Sequence, residues 1–154
     1  MLLVRQDSTD SFSIVHWLQE RKDLIPSRAL KSHFAIFNKH PWVQCILSSH
    51  PLNVAALCSV RSGLDARFMP PPYSYLSCIL PLEYDACLDS DTVASCFDST
   101  EKGPVGSILV ANDGAITVGE SISAALQRLE VLESVCSIAI DAHSLGSSGI
   151  EFLK

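Results

Sequence analysis

From Ser107 to Gly119 the chain reads SILVANDGAITVG, two apolar runs (Ser107 to Ala111 and Ala115 to Val118) joined by Asn112, Asp113 and Gly114. Asn, Asp and Gly tolerate positive φ, so this stretch predicts a β-hairpin. Gly119-Glu120-Ser121 then leads into the longest predicted helix, over about residues 121–145. Its apolar positions Ile122, Leu126, Leu129, Leu132, Cys136 and Ile140 keep the 3.6-residue period. Gly146 follows as a natural C-cap. Glu130 and Glu133, at i and i+3 of that helix, read as a solvated or interface face.

Upstream, Pro26-Ser27 opens a helix in which Leu30, Phe34 and Phe37 form one apolar stripe. It must stop before Pro41, because a residue preceding proline is pushed out of the helical region. Trp42 to Leu47 has the composition of a short buried strand, and Ser48-Ser49-His50-Pro51 that of a turn. Pro51 suits the first position of a helix running to about Arg61. Residues 62–82 are loop-rich, with a Pro70-Pro71-Pro72 corner and a candidate strand from Cys78 to Leu82. Asp89 to Phe97 reads as a short helix. Phe12 to Leu18 fits either a short strand or a helical turn, and Arg21-Lys22-Asp23 a solvated break. Strands alternating with helices predict an α/β fold, a sheet covered by helices, in one domain over residues 1–154.

The net charge of −6 speaks against nucleic-acid partners, which require a surplus of Lys and Arg on one face. No apolar run is long enough to span a bilayer. Arg5 and Asp7 interrupt the first apolar residues too early for a signal peptide, so a cytoplasmic protein is expected. The six cysteines (Cys45, Cys58, Cys78, Cys87, Cys96 and Cys136) are widely spaced, without a C-x-x-C pair, and are expected to be buried free thiols. No G-x-S-x-G elbow marks a serine nucleophile.

Two segments resemble the class II aldolase/adducin family. Pro26-Ser27-Arg28-Ala29 through His33, then His40-Pro41 and the strand ending in Ser48-Ser49-His50-Pro51, is similar to that family's P-S-S-E stretch, a helix beginning with His, and a strand ending in H-x-H-P. Ser107 to Gly119 and the helix containing Leu129-Glu130-Val131-Leu132-Glu133 resemble its strand, N-H-G turn, strand and L-E-x-L-E helix. The likeness is strongest over residues 26–146. It implies a three-layer α/β/α sandwich and, for active members, metal-dependent chemistry on sugar phosphates. There a divalent ion held by three histidines polarises substrate oxygens while a carboxylate moves the proton.

The departures fall on the positions that carry this chemistry. Of the H-x-H pair only His50 survives, since the first histidine is matched by Ser48. Asp113 stands at the N-H-G histidine, and Ala29 at the acid/base glutamate. Arg28 replaces the second serine, while Ser27 is kept; these two are the candidate phosphate contacts. The family's glycine-rich phosphate turn has no counterpart upstream of residue 26, so a shortened N-terminal part is expected. His50 and Asp113 remain as candidate metal ligands, a thin set where catalytic zinc takes three protein ligands. Asp113 also has a full account as a turn residue, and His33 is expected to be packed rather than reactive. The expectation is a catalytically degenerate domain with no cofactor, acting through binding or oligomerisation. Its partners would be copies of itself, as in the family's rings, or another protein. The alternative is a lyase or epimerase for a small sugar phosphate, with zinc or another divalent metal in an altered ligand set.

Overall fold

The predicted hairpin forms and lies at the middle of the sheet. In the computed structural model, which describes residues 4–5, 29–60, 64, 76, 79–100 and 105–145, the strands are β1 (Val4–Arg5), β2 (Cys45–Ser49), β3 (Ile79–Leu82), β4 (Ser107–Val110) and β5 (Ala115–Gly119). The helices are α1 (Ala29–Lys39), α2 (Leu52–Cys58), α3 (Ser90–Ser95) and α4 (Ile122–Ser144), with a 3₁₀ turn over Ala86–Leu88. The sheet order is β1-β2-β5-β4-β3. Among the described strands β3 and β4 run parallel, and the other pairs are antiparallel. Asn112 closes the hairpin at φ 55°, the left-handed conformation that Asn accepts more readily than most residues.

Strand alternation divides the interior between the two faces of this sheet. Ile46, Ile108, Val110, Ile116 and Val118 point to one side, where Ile36 and Phe37 of α1 and Val93 and Ala94 of α3 cover them. Cys45, Leu47, Leu109 and Ala115 point to the other, under Val54 and Leu57 of α2 and Leu129, Leu132, Val135 and Cys136 of α4. The fold is therefore the expected α/β/α sandwich.

The apolar stripes sit slightly off the expected faces. On α1 the buried positions are Ser32, His33, Ile36 and Phe37, while Leu30 and Phe34 are half-buried. On α4 the sheet-facing residues begin with Ala125, and Ile122 and Leu126 stay 41% and 44% exposed. Gly119 explains that rotation. A Cβ there would lie 2.6 Å from the Ala125 amide nitrogen, so the first turn of α4 rests directly on the strand end. Thr117 Oγ1 donates to the Ala125 carbonyl across the same approach. Ser121 caps the helix by accepting from the Ala124 amide.

Strand β2 begins and ends later than expected. Ser48 and Ser49, read above as turn residues, pair with Ile116 and Ala115 because the ladder to β5 continues to that point. Pro41 and Trp42 instead make the turn after α1, closed by Val43 donating to the His40 carbonyl. Pro51 is the N-cap of α2 rather than its first residue, and the helix ends at Cys58, short of Arg61. Cys45, Cys58 and Cys136 are buried free thiols as expected, while Cys96 is a free thiol only half-buried. Burial, with Glu133 and Cys58 adding to it, pushes the Cys136 thiol up to about 12. Cys78, Phe12 to Leu18, the Pro70 corner and Gly146 lie outside the described residues. No helix among the described residues is long and apolar enough to cross a membrane.

Glu133 is no solvated residue. Its carboxylate accepts from the Asn53 amide at 3.0 Å, the Asn53 side chain at 2.8 Å and the Val54 amide at 2.9 Å. It thereby satisfies the otherwise unpaired amides at the start of α2, a task no side chain of that helix performs. Charge-assisted bonds of this kind are the stronger class. Glu133→Ala is expected to lower the unfolding free energy by about 2 kcal/mol or more, and Glu133→Gln by less, since the amide keeps one acceptor. Urea titration of the three proteins checks this ordering.

Candidate functional site

On the α1 face, where β2 ends and the hairpin turns, lies a pocket of about 860 Å³. Ala29 to Ser32 from the first turn of α1 form one wall, Ser48 to His50 another, and Tyr84 and Cys87 a third, with Asp113 and Gly114 at the hairpin end. Strand periodicity places Ser48 and His50 on the same side of β2, while the chain reversal at Asn112 carries Asp113 across to meet them.

Of the four candidate residues, the fold brings His50 and Asp113 together. His50 Nε2 donates to Asp113 Oδ1 at 2.7 Å, with the imidazole 63% and the carboxylate 36% exposed. Gly114 makes this meeting possible. A Cβ at that position would stand 2.3 Å from the Ser49 carbonyl oxygen and 3.0 Å from His50 Cδ2. The turn is tied to the end of α2 as well, by Asn112 donating to the Cys58 carbonyl and Cys58 Sγ to that of Gly114. Ser27 and Arg28 lie outside the described residues.

Behind this surface His33 is fully buried, as expected of a packed residue. Its Nε2 lies 2.8 Å from Ser48 Oγ, and its Nδ1 has no partner among the described residues. Burial pushes the imidazole down to about 4, so it is neutral at physiological pH. The third histidine of this side, His40, is spent on structure, 2.8 Å from the Ala94 carbonyl and edge-on to Phe97.

A catalytic zinc ion asks for three protein ligands at about 2.0–2.2 Å, which sets tetrahedral donor atoms about 3.3 Å apart. His50 Nε2 and Asp113 Oδ1, 2.7 Å apart, are two such donors at most. Among the described residues no group of three or more His, Cys, Asp or Glu converges on a common point. Ser48 contributes a neutral hydroxyl, and Ala29 has no proton to give or take. The described residues therefore do not make the three-ligand set that a catalytic zinc requires.

The family profile described as the class II aldolase and adducin N-terminal domain matches residues 3–140. The chain belongs to that family. The match also starts well upstream of Pro26, where the motif likeness begins. L-fuculose phosphate aldolase of Methanococcus maripaludis strain C7 is 27% identical over 119 residues, 73% of this chain and 60% of the relative. Gamma-adducin of Rattus norvegicus is 28% identical over 126 residues, 79% of this chain but only 17% of that protein. This chain thus spans less than two thirds of either. Among solved structures, YgbL of Escherichia coli superposes with a TM-score of 0.69 at 20% identity, covering 84% of this chain and 62% of YgbL. L-fuculose 1-phosphate aldolase of Glaciozyma antarctica PI12 gives 0.66 at 24% identity, covering 80% and 46%. At such identities the superpositions establish the fold alone.

Sequence reasoning overlooked Ser32, Ser48, Tyr84 and Cys87 as pocket residues. The alternation of β2 could have revealed Ser48, two positions before His50. Nothing in the local sequence around Tyr84 and Cys87 reports that they share a pocket with the start of α1.

His33 makes stability depend on pH. Its folded-state value lies below the unfolded value of about 6.5, so the unfolded chain binds the proton first as the solution is acidified. The contribution is complete above pH 6.5 and is lost as pH falls toward 4, by about 3 kcal/mol in all. Urea unfolding from pH 7 to 4 is expected to show this slope in the wild type and its absence in His33→Gln.

Proposed function

We propose that this domain is a catalytically degenerate member of its family, which works by binding and not by metal-dependent cleavage or epimerisation. The observation that carries this reading is the His50–Asp113 hydrogen bond at 2.7 Å. The one imidazole remaining where the resemblance expects metal ligands is committed to the one carboxylate beside it. The family embraces both catalysts and gamma-adducin, so descent from it does not require chemistry. A pocket of about 860 Å³ supports a small-molecule ligand rather than a purely structural role. Self-association into a ring is part of the same proposal, by analogy with the family.

The competing reading is a lyase or epimerase acting on a sugar phosphate, as the named aldolase relatives do on fuculose phosphate. It needs a third metal ligand and a proton carrier in place of Ala29. Plasma mass spectrometry of untagged protein, purified without chelators, separates the two. The expected result is substoichiometric metal that does not change in His50→Ala. About one divalent ion per chain, lost in that variant, would establish the metal enzyme and refute the degenerate reading.

A further inference from the structure

We propose that Ser48 is the ligand-recognising group of the pocket, a hydroxyl donor aimed by buried His33, and that its ligand is a small carboxylate. This rests on the reading of the domain as a binder without a catalytic metal, and it assigns to Ser48 the substrate oxygen that the metal would otherwise hold.

A neutral imidazole carries one N–H. With the proton on Nδ1, His33 would bury a donor that has no partner, since that atom makes no hydrogen bond among the described residues. Orphaned buried N–H groups are the rarer and costlier defect, whereas an acceptor left unpaired is better tolerated. The proton therefore sits on Nε2 and is donated to Ser48 Oγ at 2.8 Å. That bond uses an oxygen lone pair and leaves the Ser48 hydroxyl proton free to donate. Ser48 has no other hydrogen-bond partner among the described residues and lines the pocket, so its proton is presented to whatever occupies that space.

Two further groups on the adjoining wall fix the ligand class. Ser32 lines the pocket, is only 7% exposed, and its side chain hydrogen-bonds to none of the described residues. It is a second hydroxyl waiting for an acceptor. Lys31, the residue before it on α1, brings one positive charge to the same pocket. Ser49, whose buried hydroxyl also has no partner among the described residues, and Ser90 line the pocket too, so several hydroxyls and one ammonium face an acceptor group of a single negative charge. The Asp113 carboxylate, which lines the same pocket, opposes the higher charge of a phosphate dianion more than a single negative charge.

The first measurement uses metal-free wild-type protein labelled with ¹⁵N-histidine. The ring nitrogen shifts of His33 are expected to place its proton on Nε2; a proton on Nδ1 would show Ser48 donating inward and overturn the proposal. The second titrates the protein with sodium acetate, against sodium chloride at equal ionic strength, and follows backbone amide shifts. Saturable changes at Ser32 and Ser48 are expected, with affinity at least tenfold weaker in Ser48→Ala and an intermediate loss in Ser48→Cys. Shifts no different from those with chloride, undiminished binding in the folded variants, or saturation by inorganic phosphate alone would each overturn the carboxylate assignment. The metal analysis described above fails or succeeds independently, because the His33 tautomer is read in chelated protein.

Discussion

The turn from Asn112 to Gly114 is held by contacts from three directions, and much of the fold depends on the lack of a side chain at Gly114. The Ser49 carbonyl comes so near that any Cβ would overlap it, at 2.3 Å. That approach sets the end of β2 against the start of β5, aligns Ser49 with Ala115, and puts His50 against the Asp113 carboxylate. The Asn112 amide and the Gly114 carbonyl bind Cys58 at the end of α2, so the helix that follows His50 is locked to the same turn. A residue that reads as ordinary hairpin chemistry is thereby the junction of sheet, helix and pocket.

The hairpin and the long helix were plain in the sequence because their signals are local. Asn112-Asp113-Gly114 supplies its own positive φ, and the leucines of α4 repeat over a helix of 23 residues. What the sequence concealed depends on partners distant along the chain. Ser48 and Ser49 look like turn residues until β5 is present to pair with them. Glu133 looks solvated until the start of α2, some 80 residues earlier, is placed beneath it. The rotation of α4 away from Ile122 and Leu126 follows from the close approach of Gly119 to Ala125, which periodicity cannot anticipate.

The site was legible to a different degree. The identity of the missing groups, the first histidine of the pair at Ser48, the turn histidine at Asp113 and the carboxylate at Ala29, could be read residue by residue from the family resemblance. How the remaining groups would satisfy one another could not. A lone histidine and a lone aspartate are ambiguous in sequence, and only their separation makes them a hydrogen-bonded pair. The same holds for His33, whose burial and contact with Ser48 turn a packed histidine into one that orients a neighbour.

The parallel pairing of β3 with β4 has a consequence for how the chain assembles. The hairpin and α4 join residues only a few to some twenty positions apart, and β5 packs directly under the helix that follows it. Strand β3 reaches β4 only after the whole Glu83–Gly106 connection has closed, and β2 must return from still farther along the chain. Loop-closure entropy must be spent before such contacts return anything, which gives the segment from Val105 to Ser144 the head start in folding. The C-terminal portion of the domain thus carries the lowest closure cost, while the pocket, built from α1, β2 and the turn together, draws on the most distant parts of the chain.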